Sequence, residues 1–208
     1  MRVFQISWLQ LIFIALVLSG CAHQAPKAPL ISQDWANHKA QVDAIDNWQA
    51  IGKLAVKVPN DGGNASIKWQ QIGRAYHIDL SGPFGSGKLM IDGQPNSVTL
   101  TEADQPPKTA KTAEELIRKN SGWNIPVTQL AFWVRGLPDP NSQVTRFTPN
   151  AQGLIGELEQ LGWKVTYGDY LATSKDGLAM PGRIVAEYKD VRLTLAVREW
   201  LFEPETKN

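Results

Sequence analysis

One cysteine, three histidines and a near balance of 21 basic against 20 acidic residues leave this 208-residue chain short of the usual equipment for chemistry. A single thiol excludes a disulfide framework and a multi-cysteine metal site, and His23, His38 and His77 stand nowhere at metal-ligand spacing. A net charge of +1 supplies no long-range field for gathering phosphates, which argues against a nucleic-acid partner. There is no internal repeat, no low-complexity block and no G-x-S-x-G elbow for a nucleophile. Gly82-Pro83-Phe84-Gly85-Ser86-Gly87-Lys88-Leu89 almost fits a phosphate loop. However, Leu89 replaces the magnesium-binding hydroxyl, and an alternating segment follows where a helix is required. Glu114 and Glu115 read as a helix N-terminus, Glu157 and Glu159 as a polar strand face, and His77 with Asp79 as a solvated pair. His38 is expected on the polar side of a helix. No cofactor or metal is expected, and the reading is of a protein that is not an enzyme. Tryptophan, by contrast, is plentiful: eight Trp against six Phe and four Tyr suggest wide apolar surfaces that also meet polar groups.

The only long apolar run lies at the start. Arg2 is the sole charge before the stretch Trp8 to Leu18, which breaks at Ser19-Gly20-Cys21, the layout of a secretory signal; the run is short for a retained membrane anchor. Leu18-Ser19-Gly20-Cys21 resembles the bacterial lipobox, in which small residues admit a peptidase to the bond before a diacylglyceryl-modified Cys. On that reading residues 1–20 are a lipoprotein signal peptide and Cys21 is the lipidation site, carrying acyl chains of the palmitate type. Two or three chains anchor stably where one is marginal. By resemblance to Gram-negative lipoproteins, Ala22, in place of the Asp that causes inner-membrane retention, implies the outer membrane. Residues 21–31, with Pro26 and Pro29 and no apolar period, read as an acylated tether.

Residues 32–208 then form one domain. Ser32 is placed to cap a helix through Trp35, Val42 and Ile45, with Asp34 in its first turn. The period changes to two at Leu54-Val56-Val58, Ile67-Trp69 and Tyr76-Ile78-Leu80, which predicts half-buried antiparallel strands joined by turns such as Asn60-Asp61-Gly62-Gly63. Leu89 to Asp92 and Val98 to Thr101 continue the meander. Between about Thr109 and Leu137 the pattern becomes helical: Thr112 and Glu115 stand at capping-box spacing, Gly122 is a stop, and a second helix runs from about Pro126 to Gly136-Pro138. Strands return at Trp163-Val165-Tyr167, Ile184-Ala186-Tyr188 and Val191 to Val197, ahead of Trp200. The fold class is mainly β (α+β): an open antiparallel β-barrel or strongly curved sheet with helices over its mouth.

The loop that fails as a phosphate cradle carries a resemblance. Tyr76 to Ser86, with Pro83, Phe84, Gly85 and Ser86 at the tip, is similar to the strand and loop of the LolB family of outer-membrane lipoprotein receptors. Trp69-Gln70-Gln71, Gly136-Leu137-Pro138, Gly162-Trp163-Lys164-Val165 with Tyr167-Gly168, Ala179-Met180-Pro181 and Trp200 agree in order. At the tip Phe84 stands where the resemblance leads one to expect Leu. The resemblance implies an incomplete barrel whose helices cover an apolar cavity. That cavity accepts lipoprotein acyl chains from a periplasmic LolA-type carrier, and the receptor, acting as a chaperone in lipoprotein localisation, inserts the cargo into the inner leaflet of the outer membrane. The implied partners are the LolA-type carrier, acylated lipoprotein cargo and outer-membrane phospholipid, with no nucleic acid, and the protein is expected to be a monomer. The alternative is a passive lipid-binding or structural outer-membrane lipoprotein.

Trp48, Trp69, Trp133, Trp163 and Trp200 are candidates to line the acyl-chain cavity, with ordinary core packing as the competing reading for each. Trp123, beside Gly122, is read as seating the short helix. Phe84, with Pro83 and Gly85, forms the candidate membrane-insertion loop. Its ring has few local neighbours among turn residues, so it either projects to the membrane interface or folds back onto the sheet.

Overall fold

Antiparallel pairing organises the chain almost from end to end in the computed structural model, which describes residues 34–82 and 87–202. The proposed signal peptide, Cys21, the tether, Ser32 and the loop residues Pro83, Phe84 and Gly85 lie outside the described residues. Helix α1 (Trp35–Asp43) is capped by Asp34, whose side chain accepts from the Ala36 N–H; the N-cap is therefore Asp34, where the sequence suggested Ser32.

Six strands follow as a meander: β1 (Asn47–Val58), β2 (Asp61–Ile72), β3 (Ala75–Ser81), β4 (Leu89–Gln94), β5 (Ser97–Glu102) and β6 (Lys108–Ala110). Two-residue turns join β1 to β2, β2 to β3 and β4 to β5, and Asn60, Gly73 and Asn96 supply the positive φ such turns need. Helices α2 (Ala113–Ser121) and α3 (Val127–Trp133) come next, then β7 (Val144–Pro149), β8 (Ile155–Gln160), β9 (Trp163–Gly168), the short pair β10 (Leu171–Ala172) and β11 (Ala179–Met180), β12 (Arg183–Tyr188) and β13 (Val191–Phe202). The main sheet has eleven strands in the order β6-β5-β4-β3-β2-β1-β13-β12-β9-β8-β7. It is curved and open, as the sequence predicts, and its two edges are β6 and β7.

The two halves of the sheet are joined where β1 pairs with β13. The register shifts there between Ile51 and Gly52, and a Cβ at Gly52 would sit 2.0 Å from the Ala196 carbonyl oxygen. Only glycine lets the two backbones approach so closely at this bulge. The alternation read in the sequence fixes the faces: Ile67, Trp69, Ile78, Ile91, Leu193 and Leu195 are buried on the concave side. Strand β7 escaped the sequence reading, because every one of its residues is exposed and it shows no buried alternation; β8 carries Glu157 and Glu159, read from the sequence as a polar strand face. His38 is a correction. It is only 1% exposed, on the inner side of α1 beside the Trp35 ring, and burial lowers its imidazole pKa from the ordinary value.

Two predictions follow from these positions. Gly52→Ala should destabilise the fold by about 1–3 kcal/mol in chemical denaturation, whereas Gly63→Ala, with nothing within 4 Å of its new Cβ, should stay within about 0.5 kcal/mol of wild type. Equal stabilities would remove the close-approach argument. Because the folded His38 binds its proton less readily than the unfolded chain does, stability should fall as pH drops through and below the ordinary histidine value of about 6.5. His38→Gln should flatten that part of the stability profile.

Candidate functional site

Between the concave sheet face and the helical insert lies a cavity of about 390 Å³, within the roughly 300–1,000 Å³ usual for ligand sites. Its floor is built by the two-residue period of the strands, which places Leu54, Ile67, Ile78, Ile91, Leu100 and Leu195 side by side. Its roof is Ile117 of α2, Trp123 and Ile125 of the connection, and Val127 and Leu130 of α3. The polar residues in the lining are Glu102, Asn120 and Ser121. Glu102 lies 3.4 Å from the Lys108 ammonium, and Asn120 and Ser121 donate back to the Leu116 and Ile117 carbonyls of their own helix. So equipped, the cavity offers dispersion and desolvation and little directional chemistry. Among the described residues no group of His, Cys, Asp and Glu is placed to hold a metal, and no helix is long and apolar enough to cross a membrane.

The roof is fixed at its ends. Thr112 caps α2 by accepting from the Glu115 N–H, and Gly122 at φ 76° closes it with a bond to the Arg118 carbonyl, as the sequence pattern predicts. Glu114 accepts from the Thr128 N–H at 2.7 Å, which ties the start of α2 to the first turn of α3, where a negative charge suits the helix dipole. At the other end of α3, Arg135 donates to the carbonyls of Val42, in the last turn of α1, and of Ile45 just after it, and stands 5.9 Å from the Trp48 ring centre. Its pKa is lowered by burial, against the opposing pull of Asp43 and Asp46.

Beyond Trp69 is a second, polar cleft of about 600 Å³, which holds Arg135, Trp48 and Tyr76. Burial, with the Glu114 carboxylate as a smaller cause, pushes the Tyr76 phenol up to about 12. Trp69 and Val127 belong to both linings and so separate the polar cleft from the apolar cavity.

Of the five tryptophans expected at an acyl-chain cavity, Trp69 lines the cavity described above, and Trp48 lines the polar cleft. Trp133, Trp163 and Trp200 stand in neither lining, and their polar tips explain why. Trp133 is 0% exposed and donates to Gln160 Oε1 at 2.8 Å; that amide also accepts from the Asp139 N–H and donates to the Asp139 and Ser142 carbonyls. Trp163 packs between Trp133 and the stacked Tyr188 ring, and Trp200 donates to the Pro181 carbonyl. These three belong to the packed core, the reading that the sequence left open for each beside a cavity role. Trp123, read from the sequence as a helix seat, is the tryptophan of the cavity roof. Lys88 leads into strand β4, where the sequence predicts an alternating segment and a phosphate loop would need a helix.

The family model described as outer membrane lipoprotein LolB matches residues 46–200. The chain belongs to the LolB family. It is 45% identical over 185 residues to the outer-membrane lipoprotein LolB of Cellvibrio japonicus, covering 88% of this chain and 90% of that protein. With the LolB of Chromohalobacter salexigens it shares 38% over 202 residues, 96% of this chain and 92% of that one. Among solved structures, a LolA superfamily protein from Nitrosomonas europaea superposes with a TM-score of 0.52 at 9% identity, over 84% of this chain and 96% of that one. A DUF1329 family protein from Desulfovibrio piger gives 0.54 at 9%, over 83% and 92%. At such identities the two structures establish a shared fold. The LolB-like sequence segments map onto structural supports: Trp69-Gln70-Gln71 lies on β2, Gly136-Leu137-Pro138 leaves α3, and Ala179-Met180-Pro181 runs through β11 to the carbonyl that holds Trp200.

Trp123→Ala should therefore weaken binding of an apolar fluorescent probe several-fold with little loss of stability. Trp133→Ala should instead cost about 3–5 kcal/mol of folding free energy. Probe titration and denaturation of the two variants check this, and a Trp133 variant of wild-type stability would contradict the assignment.

Proposed function

We propose that this protein is an outer-membrane-anchored receptor that takes acylated lipoproteins from a LolA-type periplasmic carrier and delivers them to the inner leaflet of the outer membrane. The observation that carries the reading is the cavity roofed by α2 and α3, whose floor is apolar apart from Glu102. Burying an acyl chain is worth about 0.8 kcal/mol per CH₂, so a carrier releases cargo only to an acceptor of comparable apolarity. Transfer between two such cavities is roughly isoenergetic, and no nucleotide is required. The names borne by the relatives, outer-membrane lipoprotein LolB, support both the location and the lipoprotein-handling role. They are not names of an enzyme, and binding and release without bond-making suffice for the function.

The acylated Cys21 holds the domain at the membrane through the tether 21–31, and the receptor works as a monomer. Phe84, flanked by Pro83 and Gly85, dips into the membrane interface during release, where burying its ring contributes about 1.5–3 kcal/mol. On this reading the Pro-containing tether sets the anchor apart from the domain, which folds without it.

The test mixes cargo-loaded carrier with the chain carrying Cys21→Ser, exported under a cleavable signal. Cargo should pass to this soluble form; cargo that stays on the carrier would favour a passive lipid-binding lipoprotein. In the same assay Phe84→Glu should receive cargo yet fail to insert it into liposomes, and Phe84→Leu should do both. Full insertion by Phe84→Glu would overturn the role of the loop.

A further inference from the structure

The outer face of the sheet carries a second feature at the end where β3 gives way to β4. A cleft of about 610 Å³ lies there, lined by Lys53 of β1, Lys68 of β2, Lys88 ahead of β4 and Arg198 of β13. The pairing explains the cluster. Lys53 stands opposite Ser66, and Ser66 opposite Ser81, so the three share the outer face in one row; Lys68, opposite Asp79, lies in the next. Arg198 is the extra residue of the β1–β13 bulge beside Gly52, which turns it out to solvent. All four cations are exposed, and none has a carboxylate within ion-pair distance among the described residues. The carboxylate in the cleft lining, Asp79, is engaged by His77 at 3.2 Å.

Four cations against the single carboxylate of Asp79, with two serine hydroxyls between them, leave the cleft lining with a surplus of positive charge. Elsewhere on the sheet several cations do have carboxylate partners: Lys164 meets Glu157, Arg146 meets Glu159 and Arg192 meets Glu187. Ile67 and Leu80 belong both to this cleft and to the acyl cavity, so the two sites lie back to back across one layer of sheet.

We propose that the Lys53, Lys68, Lys88 and Arg198 cluster docks on the phosphates of anionic phospholipid headgroups and so holds the cavity-bearing end of the sheet against the leaflet. The proposal deepens the receptor reading and rests on it, since it adds the lipid surface that the delivering receptor recognises. Each cation near an anionic surface favours binding by about fivefold, and salt screens the effect. The headgroup contact orients the domain; the apolar cavity handles the acyl chains.

The Cys21→Ser chain, exported under a cleavable signal, is sedimented with vesicles of phosphatidylethanolamine with and without phosphatidylglycerol. Binding should require phosphatidylglycerol and weaken with added salt. Replacing Lys53, Lys68, Lys88 and Arg198 together by Gln should lower it on the order of a hundredfold or more, with unfolding curves and cargo uptake from the carrier unchanged. Replacing Lys39, Lys111, Lys119 and Lys175 by Gln removes the same charge elsewhere and should lower it far less. Equal binding to both vesicle types, or equal losses in the two variants, would overturn the proposal. So would a cluster variant that binds vesicles normally but no longer takes cargo, because the surface would then serve the carrier. Wild-type protein that binds vesicles as described yet receives no cargo would instead defeat the receptor reading and leave headgroup binding standing.

Discussion

The curved sheet has one concave face to cover, and among the described residues three short helices cover it. Near β7 the cover is close: α1 sets the Trp35 ring 5.0 Å from Phe147, and the Trp133–Gln160–Asp139 network joins the end of α3 to β8. Over β1 to β5 and β13, α2 and α3 stand away from the strands, and the gap is the cavity. Apolar side chains that face a gap lose the dispersion contacts they would have in a packed core. A fold can keep such a gap when its margins are held independently. Here the Gly52 bulge joins the halves of the sheet, Glu114 links the two roof helices, and Arg135 ties the roof to the end of α1.

That division of labour explains where the polar groups are. Gln160, at 0% exposure, uses both ends of its amide, and Asp139 accepts from Ser142, Asn141 and Gln129. Burial alone would raise the Asp139 pKa, but those donors outweigh it and hold the carboxyl below its ordinary value. Such satisfied networks specify one arrangement of the packed end of the molecule. The cavity end contains almost none of them, and a site without directional partners suits a ligand recognised by its lack of polarity.

Much of this was legible in the sequence. Alternation at Leu54-Val56 and Ile67-Trp69 located strands and their inner faces, and Thr112, Glu115 and Gly122 marked α2, because caps and periods are local properties. The cavity itself was not legible residue by residue. Leu100 beside a void and Leu158 in a packed core obey the same two-residue period, and which of them meets a neighbour depends on how far the helices stand from the sheet. The tryptophans misled for the same reason. Trp133 pointed inward as expected, but its indole N–H needed the Gln160 amide, a partner 27 residues away that alternation does not reveal. His38 was read as polar because its type usually is, whereas the inner side of α1 buried it.

The central claim is that acyl chains enter the space between the concave sheet and α2–α3. A photoreactive phenylalanine analogue placed at Ile91, on the cavity floor, and separately at Thr101, on the opposite side of the sheet, tests it directly during transfer from a loaded carrier. The account predicts crosslinks to the acyl chains of the cargo from Ile91 and none from Thr101. Crosslinks from Thr101, or a silent Ile91 in a protein that still takes up cargo, would contradict it.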